Sequence, residues 1–274
     1  MSPRDGHTSS PDADRERGSA DRGLRLQVFL ARAGRGSRRT MEQAIRAGRV
    51  AVDGQVVTTL GVRVDPELQQ VQLDGKRIEP APRPATVIAL HKPPHVLTTT
   101  RDPQGRPTVL HLLPKALRRE RLYPVGRLDF ASEGLVLMTN DGELAFQLMH
   151  PRFGHEREYL VTVRGPEPPD LARRLRQGVD IGDRRPARTR RAARVGRDWQ
   201  LVLTEGRKRQ VRRMFEAVGM RVTRLVRVRI GSVVLGDLAT GAARELEAAE
   251  VKELRQAVAR AADSQRTGEP RQTL

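Results

Sequence analysis

The sequence predicts an α+β fold in two unequal parts: a small unit of two helices and short strands, then a larger unit on a mostly antiparallel sheet. Three observations predict it. Apolar residues recur at helical spacing twice between Leu24 and Gly48, and two hairpin signals follow at once. The run Glu79 to Pro84 (EPAPRP) then interrupts the pattern with three prolines, the composition of a short stiff linker. Beyond Thr86, strands and short amphipathic helices mix without the regular strand–helix–strand beat of a parallel α/β protein. The expected boundaries are a small domain at 23–80, a linker at 81–85 and a large domain at 86–262.

The elements follow in order. Residues 1–22 are rich in Ser, Asp, Arg, Gly and Pro and poor in apolar side chains, so a disordered tail is expected there, and another at 263–274. Leu26, Phe29, Leu30 and Ala33 mark a first helix, which Gly34 and Gly36 end. Ser37 suits the N-cap of a second helix carrying Met41, Ala44 and Ile45, and Gly48 stops it. Val50 and Val52, the turn Asp53-Gly54, and Val56-Val57 form one hairpin; Val71, Leu73, Asp74-Gly75 and Ile78 form another. In the large unit, strands are expected at Val87–Leu90, Leu135–Met138, Tyr159–Val163, Gln200–Leu203 and Val222–Val228. Helices are expected around Leu144–Met149, Val211–Val218 and Val251–Val258.

Composition narrows the function. The 274 residues carry 51 Lys and Arg against 33 Asp and Glu, a formal charge of +18 that attracts polyanions. Arginine dominates, and its planar fork suits phosphates and base edges. Nucleic acid is therefore the expected partner, ahead of a membrane surface, for which no amphipathic anchor is visible. Cysteine is absent, which excludes disulfides and thiolate metal sites and fits a cytoplasmic protein. No apolar run is long enough to span a bilayer, and no secretory leader is evident at the N-terminus. There is no glycine-rich dinucleotide fingerprint, no phosphate loop and no His-Glu-x-x-His pair. His150, His155 and Glu156 lack metal-ligand spacing, and Ser132 in Ala-Ser-Glu-Gly lacks the first glycine of a nucleophile elbow. A carboxylate nucleophile is among the few chemistries left.

Three segments could carry it. In Gly126-Arg127-Leu128-Asp129-Phe130-Ala131-Ser132-Glu133-Gly134-Leu135, Asp129 sits between two apolar residues just before a strand; taken alone, the segment fits an ordinary turn aspartate better than a nucleophile. In Glu205–Phe215, Arg209, Arg212 and Arg213 stack at i, i+3, i+4 beside the apolar face. Such stacking repels, so either an anion meets these arginines or they form a solvated basic face. In Glu158–Val163, Tyr159 points away from Leu160 and is either a platform for a base or a core tyrosine with a bonded hydroxyl.

Together these segments resemble one family, the RsuA/RluB-type pseudouridine synthases. The stretches GRLDFASEGLVLMTNDGELAFQLMHPRFGHEREYLVTVRG and LTEGRKRQVRRMFEAVGMRVTRLVRVRIGSVVLGDL resemble its central and downstream blocks, and HKPPHVLTTTRDPQGRPTVLHLLP its first block. LRLQVFLARAGRGSRRTMEQAIRAGRVAVDGQVV resembles the S4 RNA-binding module that precedes this catalytic domain. The resemblance implies that Asp129 is the catalytic nucleophile and Tyr159 stacks on the target base. It implies that Arg212 pairs with the aspartate, Leu225 packs on the far side of the base, and Arg127 helps displace the nucleotide. Arg38, Arg39, Arg46, Lys92, Arg209 and Arg213 are the expected RNA contacts. The first block reads Lys92-Pro93-Pro94-His95 where the family usually has Lys-Pro-x-Gly, so a different turn is expected there. No metal and no cofactor is implied. The expected substrate is large-subunit (23S) ribosomal RNA or a ribosome assembly intermediate, met by a monomer in the cytoplasm. Small-subunit (16S) rRNA, and a purely RNA-binding role in ribosome assembly, are the alternatives.

Overall fold

The computed structural model describes residues 23–79, 85–118 and 120–267, with side chains to residue 261. The expected tail at 1–22, the linker residues 81–84 and residues 268–274 lie outside the described residues. The chain divides into two compact units, residues 1–84 and 85–274.

In the first unit, strand β1 (Leu24–Arg25) leads into helices α1 (Leu26–Arg32) and α2 (Arg38–Arg46). Ser37 caps α2 as its sequence position predicts, its hydroxyl accepting the Thr40 N–H at 3.1 Å. Strands β2 (Val50–Val52) and β3 (Gln55–Val57) pair through Asp53-Gly54, both at positive φ, the geometry of a two-residue hairpin turn. Strand β4 (Arg63–Val64) returns to β1, and β5 (Val71–Leu73) and β6 (Lys76–Ile78) complete a sheet of order β3-β2-β5-β6. Leu26, Phe29, Leu30, Met41 and Ile45 from the helices meet Val50, Val71 and Ile78 in one core.

The second unit runs through β7 (Val87–Lys92), α3 (Lys115–Arg118), β8 (Tyr123–Pro124), β9 (Glu133–Thr139), α4 (Gly142–Met149), β10 (Arg157–Arg164) and α5 (Leu171–Gln177). It continues with β11 (Arg191–Val195), β12 (Asp198–Leu203), α6 (Gln210–Glu216), β13 (Arg221–Ile230), β14 (Val233–Val234), β15 (Ala243–Glu245) and α7 (Ala248–Thr267). Its sheet runs β11-β12-β10-β13-β9-β7-β15, with β14 on β13 and β8 on β9. All its ladders are antiparallel except β13 with β9, where Val226 faces Glu133 and Arg227 faces Gly134. The predicted sheet is thus mostly antiparallel, with one parallel junction at its centre.

Alternation along the strands explains the layers. Val87, Ala89, Leu135 and Leu137 join Leu144 and Leu148 of α4 and Leu254 and Val258 of α7 on one face. Ile88, Leu90, Val136 and Met138 join Val109, Leu113 and Leu128 on the other. At the far half of the sheet, Val161, Trp199, Leu201 and Leu225 pack beneath α5 and α6, with Met214 and Phe215 fully buried. Burial of one such side chain is worth about 1.5–3 kcal/mol. The last helix continues to Thr267, so residues 263–267, expected as tail, are helical.

Candidate active site

The parallel junction positions the site. The segment between β8 and β9 carries Asp129, and β9 begins four residues later beside β13. Gly134 is required there. Its φ is +108°, and a Cβ would collide with the backbone of Arg227 on the neighbouring strand.

Five consecutive carbonyls of the Asp129 segment accept hydrogen bonds. Leu128 O takes the Thr98 hydroxyl at 2.9 Å, and Asp129 O takes the Ser132 N–H at 3.0 Å. Phe130 O takes the His95 N–H at 2.7 Å, and Ala131 O takes Arg212 Nη2 at 3.1 Å. Ser132 O takes Lys92 Nζ at 2.7 Å. The backbone that carries Asp129 is therefore fixed from three sides, by β7, by the loop after it and by α6. By contrast, the half-buried Asp129 carboxylate accepts no hydrogen bond among the described residues.

Two buried cations lie beside it. Lys92 is fully enclosed, and burial pushes its ammonium down to about 8; Asp129 and Glu133 oppose that shift and Arg227 adds to it. Its amine also donates to Pro93 O at 2.7 Å. Burial lowers the Arg212 pKa too, with Arg209 adding to the shift and Asp129 and Glu216 opposing it. Arg212 donates to Val222 O at 3.1 Å and lies 3.5 Å from Ser132 Oγ, while its buried Nε has no partner. The expected proximity of Arg212 to Asp129 is present as a field, without a direct ion pair. The arginine grips the turn that bears the carboxylate.

Tyr159 lies on β10, opposite Leu201 of β12 and Arg227 of β13. Leu225 lies opposite Val161, two residues along. Residues opposite one another in a ladder share a face, as do i and i+2, so Tyr159 and Leu225 stand side by side on one wall. Leu225 is packed into the core with Val161, Met214 and Phe215. Leu225, expected on the far side of a base, thus lies beside Tyr159 in the ladder and within the core. The tyrosine is half-buried and packs against apolar clusters on both sides of it.

The remaining expected residues divide sharply. Arg127 is exposed, and Arg38, Arg39 and Arg46 are exposed on α2, all four without a bonded partner among the described residues. Lys92 leaves the RNA-contact set, since a side chain with no exposed surface that bonds carbonyls cannot meet a phosphate. Arg213 is engaged within the protein by Asp183 at 2.7 Å and by the Ile181 and Lys208 carbonyls. Arg209 reaches Glu216 at 3.6 Å but stays exposed. The anions expected to meet this arginine stack are in part the chain's own acids. His95 also corrects its expectation: it adopts φ +64°, so the turn is the one a glycine would make.

Sequence reasoning missed Arg227, which is 2% exposed, donates to Leu135 O at 2.7 Å and leaves Nη2 unpartnered. Its signal was present: in Leu225-Val226-Arg227 it alternates with a buried leucine. Thr98 and Ser132 were legible only once the loops were placed. Among the described residues, no group of three or more His, Asp or Glu is placed to hold a metal ion.

Comparison with known proteins gives matches for both units. The family model for RNA pseudouridylate synthase matches residues 86–217, and that for the S4 domain matches residues 24–69. Over 252 residues the chain is 44% identical to an uncharacterized RNA pseudouridine synthase of Mycobacterium tuberculosis, covering 90% of this chain and 98% of the relative. It is 46% identical over 242 residues to ribosomal large subunit pseudouridine synthase B of Salmonella typhimurium, covering 84% of this chain and 82% of the relative. A crystal structure of a pseudouridylate synthase matches with a TM-score of 0.60 at 30% identity, covering 84% of this chain and 99% of that one.

Proposed function

The chain belongs to the RNA pseudouridine synthases, and from that premise we propose that it isomerises a uridine of large-subunit ribosomal RNA, with Asp129 as nucleophile. The observation that carries the site assignment is the contrast within one turn. Every carbonyl from Leu128 to Ser132 is bonded, while the Asp129 carboxylate accepts no hydrogen bond among the described residues. A carboxylate left unpaired on backbone held this firmly is available to a substrate atom.

The reaction is an isomerisation. The bond from ribose C1′ to uracil N1 breaks, the base turns, C1′ joins C5, the C5 proton leaves and N1 gains a proton. Asp129 supplies the electron pair of a transient covalent bond to the substrate and takes that pair back when the bond breaks, so the carboxylate is regenerated. Lys92 and Arg212 set positive charge beside the reacting carboxylate. The uridine leaves its stack at a cost of about a few kcal/mol, and Tyr159 offers the face that receives it. Arg127, exposed on the same loop, takes the space or the phosphate that the uridine leaves. Arg38, Arg39 and Arg46 hold RNA phosphates on the small unit, the part matched by the S4 model.

The name of the Salmonella relative supports the large-subunit assignment over the small-subunit one. The protein works as a cytoplasmic monomer without a cofactor, on rRNA or an assembly intermediate. No helix among the described residues is long and apolar enough to cross a membrane.

Carbodiimide mapping of total rRNA, with and without the gene, tests the substrate. One reverse-transcription stop in large-subunit rRNA disappears on deletion and returns with the parent gene. Asp129→Asn fails to restore it while keeping the parent's melting temperature and RNA affinity. Restoration of the stop by that variant removes Asp129 from the nucleophile role, and a stop lost from small-subunit rRNA overturns the substrate.

A further inference from the structure

The mouth of the site carries an aromatic pair that none of the roles above uses. Phe130, next in sequence to the nucleophile, is 45% exposed. His95 is exposed too, and its ring meets the Phe130 ring edge-on, with centroids 5.2 Å apart at 69°. The imidazole makes no hydrogen bond among the described residues. Both rings sit on fixed backbone, because the His95 N–H bonds Phe130 O and the adjoining Ala131 and Ser132 carbonyls are gripped by Arg212 and Lys92.

His95 also occupies φ +64°, a region that disfavours a residue with a Cβ. The bond it makes there is a backbone one that glycine would make equally well. The imidazole therefore adds nothing to the turn, and its visible contact is the Phe130 ring. The two rings stand at a steep angle on fixed backbone next to Asp129, so the exposed Phe130 ring, braced by the imidazole, offers a surface of the kind on which nucleobases stack.

We propose that His95 and Phe130 form a stacking shelf for the nucleobase adjoining the uridine that reaches Asp129. This rests on the reading of Asp129 as the nucleophile and deepens it by naming a second, neighbouring base subsite. When the target leaves the helix, its neighbour loses a stacking partner, and the shelf supplies a replacement. Stacking has little sequence preference, so the shelf recognises an unstacked base rather than a particular one.

The test uses the full chain with Asp129→Asn, so that binding is read without turnover. A hairpin RNA with a uridine-rich loop carries a single 2-aminopurine moved stepwise through the loop. At one position, binding changes the fluorescence strongly. There, Phe130→Leu, which keeps apolar bulk but no ring, weakens affinity roughly tenfold and abolishes the change. His95→Gly produces a partial loss and melts no lower than the parent, since glycine suits that φ. Replacing the stacked nucleotide by an abasic one makes parent and variants bind alike, an outcome that general loosening of the loop would not give. Equal affinities and unchanged fluorescence across parent, Phe130→Leu and His95→Gly at every position overturn the shelf, as does a parent that alters no position. The proposed reaction fails separately: its failure is an unmodified rRNA with the Asp129 enzyme, whatever the fluorescence shows.

Discussion

Two regions of this molecule use the same side-chain chemistry in opposite ways. On α2, Arg38, Arg39 and Arg46 stand in solvent beside a buried stripe of Met41, Ala44 and Ile45. Around Asp129, Lys92, Arg212 and Arg227 are withdrawn from solvent, and their partners are mostly main-chain carbonyls. The first group offers charge to a polyanion at long range, where salt screens it. The second group holds backbone in place and sets a local field around one carboxylate. A net charge of +18 thus says that RNA is attracted, but not which cations touch it. Removing the buried group should damage turnover; removing the exposed group should damage binding.

The largest effect that sharpens this contrast is expected from Arg212→Met. Methionine fills much of the arginine's volume, but leaves Ala131 O and Val222 O without their donor and takes a positive charge from beside Asp129. The expected result is a fall in kcat of about 10²–10³-fold, the range seen when one preorganised donor is removed, with RNA affinity close to the parent's. Single-turnover kinetics at saturating RNA measure the first and filter binding the second. A matched loss in both would make Arg212 a phosphate contact and dissolve the distinction between the two regions.

The next effect falls on the other region. Replacing Arg38, Arg39 and Arg46 together by glutamine leaves the turnover rate at saturating RNA unchanged. The slope of log Kobs against log salt becomes shallower by about 0.7–0.9 for each phosphate that is no longer neutralised. Affinity titrations from low to moderate salt check this. An unchanged slope would mean that these three arginines face water in the complex, and that other surfaces hold the RNA.

Much of the fold was legible because it is written in local periodicity. The α2 cap at Ser37, the Asp53-Gly54 turn and the apolar alternation of β7, β9 and β13 each follow from a few adjacent residues. What escaped is either charged or non-local. Strand β11 (RAARV) lies at the sheet edge, where its arginines mask the alternation. Helix α5 shows just Leu171 and Leu175 as buried residues. The β9–β13 parallel junction joins residues more than ninety apart, and no local pattern announces such a pairing. The same divide runs through the site. Asp129, Tyr159 and Arg212 are singled out by motif resemblance. Lys92 was placed among the RNA contacts because a lysine is ordinarily read as exposed, and burial is a property of the fold.

That buried lysine carries the smallest of the expected effects. Its folded-state pKa of about 8 lies below its ordinary value near 10.5. Below pH 8 the amine is protonated in both folded and unfolded chains, so it gives stability no slope, and the full cost of burying an ammonium is present. Between about pH 8 and 10.5 the unfolded chain binds a proton that the folded chain has lost, so this group makes stability rise with pH. The staple survives the change: a neutral amine keeps two N–H groups, and two of its carbonyl contacts, Pro93 O and Ser132 O, are short at 2.7 Å. Urea unfolding of the parent and of Lys92→Met, at pH 7 and again at pH 9.5, isolates the effect, because every other titrating group is shared. The parent's midpoint should gain on the variant's at the higher pH. A constant gap between the two would place this ammonium in contact with water, and so return Lys92 to the same class as the arginines of α2.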